Sequence, residues 1–376
     1  MKYFSLINAA IITGGEILRN KAVIVKNDKI VDIVDQCSLP HDIEKIDLGG
    51  NYLAPGFIDV QVNGAGGAFF GGVPTADGLN IMAKALLKEG TTGFLVTAAT
   101  NTFDVYKQMT QYANDYRKEA LGNYLGLHLE GPYINPRSKG AHPVGLIKKA
   151  TLDEVKTLLE WGHGEIKVMT MAPELQPEEV IRYLDTQGIV ISIGHSAPTY
   201  DEAMHFLTGR KRMATHLYNG MQPMHHRYPG LIPAIFRARP FTGIVVDGIH
   251  VSYPMVRLAK QALGDSLMLV TDAVTSCKTG AYQHTLRDDH YVTIGADGKE
   301  TISGSALSML RAVQNCVEHV DISLAEAVNM ASLYPAQSIG LADRIGQIKK
   351  GFDADFIVFD SNFQVCKVCL KGTFMC

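Results

Sequence analysis

Four apolar runs in this chain each end on a residue that can hold a metal ion or move a proton. Leu125-Gly126-Leu127-His128-Leu129 delivers Glu130 and breaks at Gly131-Pro132; Ile189 to Gly194 ends on His195, Met213-Ala214-Thr215 on His216, and Leu267 to Thr271 on Asp272. One glutamate, two histidines and one aspartate at separate strand ends meet the demands of a catalytic metal site. Zinc and its relatives take three protein ligands and leave a position open for water, and a nearby carboxylate can move that water's protons. Taken singly, each residue has a plainer duty. A histidine at a core edge needs only a satisfied hydrogen bond, and Glu130 or Asp272 could cap the helix that follows. The combination is harder to dismiss, because desolvation and like charge oppose four converging ionisable groups unless a cation or a proton-transfer task is present.

Positioning such residues takes a repeating scaffold. Apolar runs lie at Phe57 to Val62, Gly93 to Thr97, Tyr124 to Leu129, Ile166 to Met171, Ile189 to Ile193, Met213 to Leu217, Gly243 to Val246 and Leu267 to Val270. Amphipathic stretches such as Leu79 to Leu87, Leu152 to Leu159, Pro177 to Leu184, Tyr200 to Leu207 and Pro254 to Leu263 separate them. Buried strands alternating with helices predict an α/β fold, either a closed (β/α)₈ TIM barrel or an open doubly wound sheet. Polar residues at the ends of several different strands favour the barrel, where catalytic groups gather at the C-terminal mouth.

Residues 1–53 have a different texture, with β-branched runs (Ala22 to Val25, Lys29 to Val34) around an Asn27-Asp28 turn. Ala354 to Asp360 and Phe363 to Val368 share it. The two ends are therefore expected to build one small β-sandwich domain from residues 1–53 and 345–376, around a barrel of residues 54–344.

The chain has 376 residues, of which 46% are hydrophobic and 19% charged, with a formal net charge of -3. Those proportions exclude disordered and fibrous classes. The charge gives no basic field for nucleic acid or an anionic membrane, which leaves a small-molecule partner. Met1 to Ile12 reads as a first strand rather than a targeting segment, and no run reaches the roughly 18 apolar residues of a membrane span. Six cysteines are sparse for this length, which points to reduced thiols and a cytoplasmic location. Cys366 and Cys369 read as two strand cysteines, since no second pair stands at zinc-finger spacing.

Several motifs carry a resemblance over essentially the whole chain, in order. They are Pro55-Gly56-Phe57-Ile58-Asp59-Val60-Gln61-Val62-Asn63-Gly64, His128-Leu129-Glu130-Gly131-Pro132, Gly194-His195-Ser196, Ala214 to Asn219, Asp247-Gly248-Ile249-His250 and Val270 to Ala273. Together they resemble the N-acetylglucosamine-6-phosphate deacetylases of the amidohydrolase superfamily. The resemblance implies a (β/α)₈ barrel with a sandwich made from both termini, and metal-dependent release of acetate from a phosphorylated amino sugar in amino-sugar catabolism. It makes Glu130, His195 and His216 the ligands of one divalent ion per subunit, zinc first, with iron, cobalt or manganese able to use the same set. Where many amidohydrolases carry His-x-His for a second metal, this chain has Gln61 and Asn63, whose neutral amides bind such ions poorly. A plainer reading has these two satisfy turn backbone.

By the same resemblance, an ion-activated water attacks the acetamide, Asp272 takes the water's proton and passes it to the departing amine, and His142 stabilises the oxyanion. Ala141, His142, Asn219, Gly220, Arg227, His250 and Ile302 contact substrate, with Arg227 suited to the phosphate. The family often has alanine at position 220, a change expected to be silent if the backbone N–H makes the contact. Family members are commonly homodimers, so Arg227 or His250 could act across subunits, and a loop at Thr301 to Ser305 would close over the sugar. The alternatives are deacetylation of the galactosamine epimer or of another N-acyl compound, and a non-catalytic scaffold barrel. The phosphate donors argue against an N-acyl amino acid, and the presence of all four strand-end residues argues against a scaffold.

Overall fold

In the computed structural model, residues 2–294 and 298–375 are described, so Met1 and Cys376 lie outside them. The run to Ile12, expected as one strand, is two. β1 (Tyr3–Ile7) and β2 (Ala10–Thr13) join different sheets, because Asn8 turns the chain at a left-handed φ of 54°, a conformation that asparagine tolerates. β3 (Glu16–Leu18) follows, and β4 (Lys21–Lys26) and β5 (Lys29–Asp35) form the expected hairpin about Asn27, with β6 (Glu44–Asp47) and β7 (Tyr52–Pro55) completing the N-terminal strands.

The barrel strands are β8 (Phe57–Val62), β9 (Thr91–Ala99), β10 (Tyr124–Glu130), β11 (Ile166–Met171), β12 (Val190–Ile193), β13 (Arg212–Ala214), β14 (Phe241–Ile244) and β15 (Leu267–Leu269). They pair in parallel and in sequence order. Crossovers run through α1 (Gly78–Lys88), α2 (Phe103–Glu119), α3 (Leu152–Gly162), α4 (Glu178–Thr186), α5 (Tyr200–Leu207), α6 (Leu231–Ala238) and α7 (Tyr253–Leu263). Side-chain oxygens hold the starts of several helices. Thr102 and Thr151 accept from the N–H three residues on, and Thr199 with Glu202 forms a reciprocal capping box. The ring closes where Asp272 donates its N–H to the Gln61 carbonyl at 2.9 Å and Asn63 donates its own to Ala273 at 2.8 Å. The first and last strands are thus joined at the mouth itself.

Between β15 and the next helix stands a three-stranded antiparallel ribbon of β16 (Thr285–Arg287), β17 (His290–Ile294) and β18 (Glu300–Ser305). Thr301 to Ser305, expected as a loop over the site, is therefore part of a strand held by β17. α8 (Met309–Val320), α9 (Leu324–Ala331) and α10 (Leu333–Ser338) complete the outer layer. β19 (Phe356–Phe359), β20 (Val365–Leu370) and β21 (Thr373–Phe374) then return to the N-terminal strands in the order β21-β20-β19-β7-β2-β3, facing a sheet of β5-β4-β1-β6.

Phe4, Leu6, Ile11, Val23, Leu53, Phe356 and Val358 form one buried core from both ends of the chain, a β-sandwich separate from the barrel core. Cys366 is exposed and Cys369 buried on β20, as expected for residues three apart on a strand. No helix among the described residues is long and apolar enough to cross a membrane.

Gly372, in the turn between β20 and β21, fastens the C-terminal hairpin to the N-terminal one. Its φ is 67°, its N–H reaches Ala354, and a Cβ there would stand 1.8 Å from the Asn27 carbonyl oxygen. Backbone cannot yield as a side-chain tip can. Gly372→Ala is predicted to cost roughly 2–3 kcal/mol, read as a lower denaturant midpoint with metal content unchanged. An unaltered midpoint would show that the hairpins are not locked together there.

Candidate active site

Strand ends build the site, and the backbone of the reactive residues makes the turn. His195, His216 and Asp272 have φ of 47°, 25° and 48°, and Glu130 is followed by Gly131 at 97° across a cis Gly131–Pro132 bond. Left-handed backbone is uncommon for residues with a Cβ, and such strain collects at functional sites. Here it ends each strand while its last side chain still faces the mouth.

Three ligand atoms meet there. Glu130 Oε1 lies 3.1 Å from His195 Nε2 and 2.9 Å from His216 Nε2, and the two Nε2 atoms are 3.0 Å apart. All three residues are buried, and among the described residues this is the cluster of three or more metal-ligating groups. His195 Nδ1 is 2.8 Å from the Ser138 carbonyl. A carbonyl can only accept, so Nδ1 carries a hydrogen, and Nε2, which faces Glu130, is the ring atom left to bind an ion in exchange for its proton.

Electrostatics make the same demand. Burial would raise the Glu130 pKa, but hydrogen bonds from His195 and His216 and their charge hold it well below the usual carboxylate range. Burial would lower His216, yet the Glu130 carboxylate, aided by Asp272, lifts it to about 9. The pocket calls for one positive charge at the meeting point, and a divalent ion fits both the charge and the donor set.

Asp272 Oδ1 accepts from Asn63 Nδ2 at 2.9 Å and Gln61 Nε2 at 3.3 Å, and Gln61 Nε2 also reaches Glu130 Oε1 at 3.2 Å. Rather than satisfying turn backbone, the Gln61 amide bridges the two carboxylates and the Asn63 amide holds Asp272. Burial, and then the charge of Glu130, push the Asp272 pKa up to about 7. Burial first, with His195 second, lowers that of His142 to about 3, so its imidazole is neutral near pH 7. Its Nδ1 lies 2.8 Å from Thr100 Oγ1.

A cavity of about 320 Å³ opens over these groups. Ala141, His142, Asn219, Gly220, His250 and Ile302 line it with Asn63 and the ligand triad. Asp247 holds His250 in place by accepting from its backbone and its ring. Arg227 stands apart, exposed on the loop before α6 and not lining the cavity of a single chain. Gly220 has φ 59°, and a Cβ on it would be 2.6 Å from His195 Nδ1. Alanine at 220 is therefore not silent in this chain, because the ligand's ring would have to give way.

Several residues that support the site gave no signal in the sequence, because their work is to hold others. Glu174 accepts from Ser196 Oγ (2.6 Å), the Ala197 N–H (2.8 Å) and Asn135 Nδ2 (2.9 Å), tying the loop that orients His195 to the loop that carries it. Asp59 accepts from Thr271, the residue before Asp272, and from the Gln61 N–H, and burial raises its pKa to about 7. Beneath the triad, the Val60 carbonyl fixes His128 as a donor through Nδ1, so Nε2 accepts from Thr170, which bonds in turn to Thr215.

Residues 52–375 match the amidohydrolase family model, and residues 3–53 match that of the NagA composite domain. The chain is 37% identical over 382 residues to the N-acetylglucosamine-6-phosphate deacetylase of Haemophilus influenzae, covering 99% of both chains. It is 34% identical to the human enzyme of that name, covering 97% of this chain and 93% of the relative. Among solved structures, the Pasteurella multocida N-acetylglucosamine-6-phosphate deacetylase superposes with a TM-score of 0.94 at 35% identity over 99% of each chain. A mutant of the Mycobacterium smegmatis enzyme in complex with N-acetyl-D-glucosamine-6-phosphate gives 0.87 at 26% identity, over 100% of this chain and 99% of that one.

Two outcomes are expected of the triad. An ion must displace a proton from His216, whose raised pKa keeps it protonated below about 9. Apparent metal affinity should therefore climb about tenfold per pH unit up to that region and then level off, measured by chelator competition; a flat profile would deny the displacement. Glu174→Gln, which keeps the shape but loses the charge, should weaken binding roughly tenfold or more, and unchanged affinity would make Glu174 a packing residue only.

Proposed function

The chain belongs to the amidohydrolase family, and from that membership and the convergence at the barrel mouth we infer that it deacetylates N-acetylglucosamine 6-phosphate, yielding glucosamine 6-phosphate and acetate. The carrying observation is that three ligand atoms and a separate buried carboxylate face one small cavity. We propose one divalent ion on Glu130, His195 and His216. One carboxylate and two imidazoles form a borderline donor set that suits zinc. When bound, the ion supplies Lewis acidity that lowers the pKa of water toward neutrality.

The remaining steps belong to the chain's own side chains. Asp272 takes the proton of the attacking water and gives it to the sugar nitrogen as the C–N bond breaks. A pKa near 7 suits a group that must both accept and release within one turnover. The Asn63 and Gln61 amides aim its carboxylate and occupy the place of a second metal's ligands. With the Thr100 hydroxyl donating to His142 Nδ1, Nε2 carries the ring hydrogen and donates it to the carbonyl oxygen as negative charge develops. His142 can serve this way because it is neutral and does not compete for the ion's charge.

Asn219, Gly220, His250, Ile302 and Ala141 hold the sugar phosphate. Arg227 reaches the phosphate from the partner subunit of a homodimer, which agrees with its absence from the single chain's cavity. The sandwich of residues 1–53 and 345–376 supports the barrel of residues 54–344, and the enzyme works in the cytoplasm.

The test is acetate release from N-acetylglucosamine 6-phosphate and from the galactosamine epimer, with metal content before and after chelation. One ion per chain and chelator-sensitive turnover are expected. Asp272→Asn should keep its metal while losing roughly 10²- to 10⁴-fold in kcat. Parallel loss of metal would make Asp272 a ligand-supporting residue, and a metal-loaded wild type that releases no acetate would sink the assignment.

A further inference from the structure

The cavity has two chemical faces, and proton transfer and ion binding account for only one. Asn219 and Gly220 follow the sixth barrel strand, and His250 follows the seventh. Phe69, Ala99, Val274 and Tyr282 form a separate apolar cluster, each 5–6% exposed, that also lines the cavity. Ala99 ends the second strand, Phe69 lies in the segment after the first, and Val274 and Tyr282 in the segment after the eighth. Ala99 ends β9 as the register partner of Glu130, and Val274 lies two residues past Asp272. Tyr282 donates to the Thr100 carbonyl at 2.9 Å, lies 3.5 Å from His142 Nδ1 and meets the Phe69 ring edge-on at 6.0 Å. The apolar wall is thus fastened to the residues that surround the reacting carbon.

An amide carbon carries an oxygen, a nitrogen and an acyl chain. The oxygen goes to His142 and the ion. The nitrogen leads to the sugar, on the side of Asn219, Gly220 and His250. The acyl chain is left with the remaining arc, where the wall stands. Resting on the deacetylase reading above, we infer that Phe69, Ala99, Val274 and Tyr282 form an acyl chamber that closes on a two-carbon group and selects substrate by acyl length. Two aromatic rings braced on each other and on Thr100 make a wall that resists deformation, and a packed interior tolerates one extra methylene poorly.

The experiment compares kcat/KM for the N-formyl, N-acetyl and N-butyryl forms of glucosamine 6-phosphate on metal-loaded wild type, Phe69→Ala and Ala99→Val. Wild type should favour acetyl over butyryl by roughly 10- to 100-fold. Phe69→Ala should raise the butyryl-to-acetyl ratio about tenfold, and Ala99→Val should shift preference toward formyl by about tenfold. Val274→Ala reads the first of these ratios with a smaller truncation should Phe69→Ala fail to fold. Each ratio is internal to one protein, so a general loss of stability or metal leaves it unmoved. Equal rates for all acyl lengths in wild type, or unchanged ratios in the variants, overturn the chamber and leave the deacetylase reading standing. Wild type that releases no acid from any of the three overturns both.

Discussion

Three donor atoms about 3 Å apart, buried and aimed at one another, cannot coexist in a low-dielectric mouth without a positive charge between them. That requirement organises the rest. It fixes which strands must end level with one another, namely the third, fifth and sixth of the barrel, and it explains why the second carboxylate is held back by two amides. With histidines at Gln61 and Asn63 the same mouth would ask for a second cation. With amides, the charge of Asp272 is met by hydrogen bonds that leave it free to titrate.

Much of this was legible in the sequence, and the divide has a physical basis. Strands buried on both faces write themselves as continuous apolar runs, so the eight barrel strands and their crossovers stood out. The reactive residues were visible because a lone charge ending an apolar run is costly and therefore conspicuous. The N-terminal run misled because Asn8 breaks it by a backbone conformation, with no change in polarity on either side. The ribbon of β16 to β18 was missed because its strands are short and largely exposed, so they carry little alternation to read.

Supporting residues were hidden for another reason. Glu174 and Asp59 act on partners far away in sequence, and nothing local distinguishes them from ordinary surface or core positions. The apolar wall of the cavity was equally silent, since Phe69, Ala99, Val274 and Tyr282 look like any hydrophobic residues until the fold gathers them. Arg227 shows the converse: its type suits an anion, yet a single chain leaves it in solvent and away from the cavity.

The left-handed backbone at His195, His216 and Asp272 has an evolutionary consequence. Each such residue holds its conformation at a cost of about 1–2 kcal/mol, which glycine, or to a lesser degree asparagine, would not incur. The easiest stabilising substitutions in this mouth therefore lie at the three strand-end residues that meet over the cavity. A lineage released from selection on turnover should drift there first, gaining thermal robustness as it loses its ion, so that stability rather than damage would mark an abandoned copy of this fold.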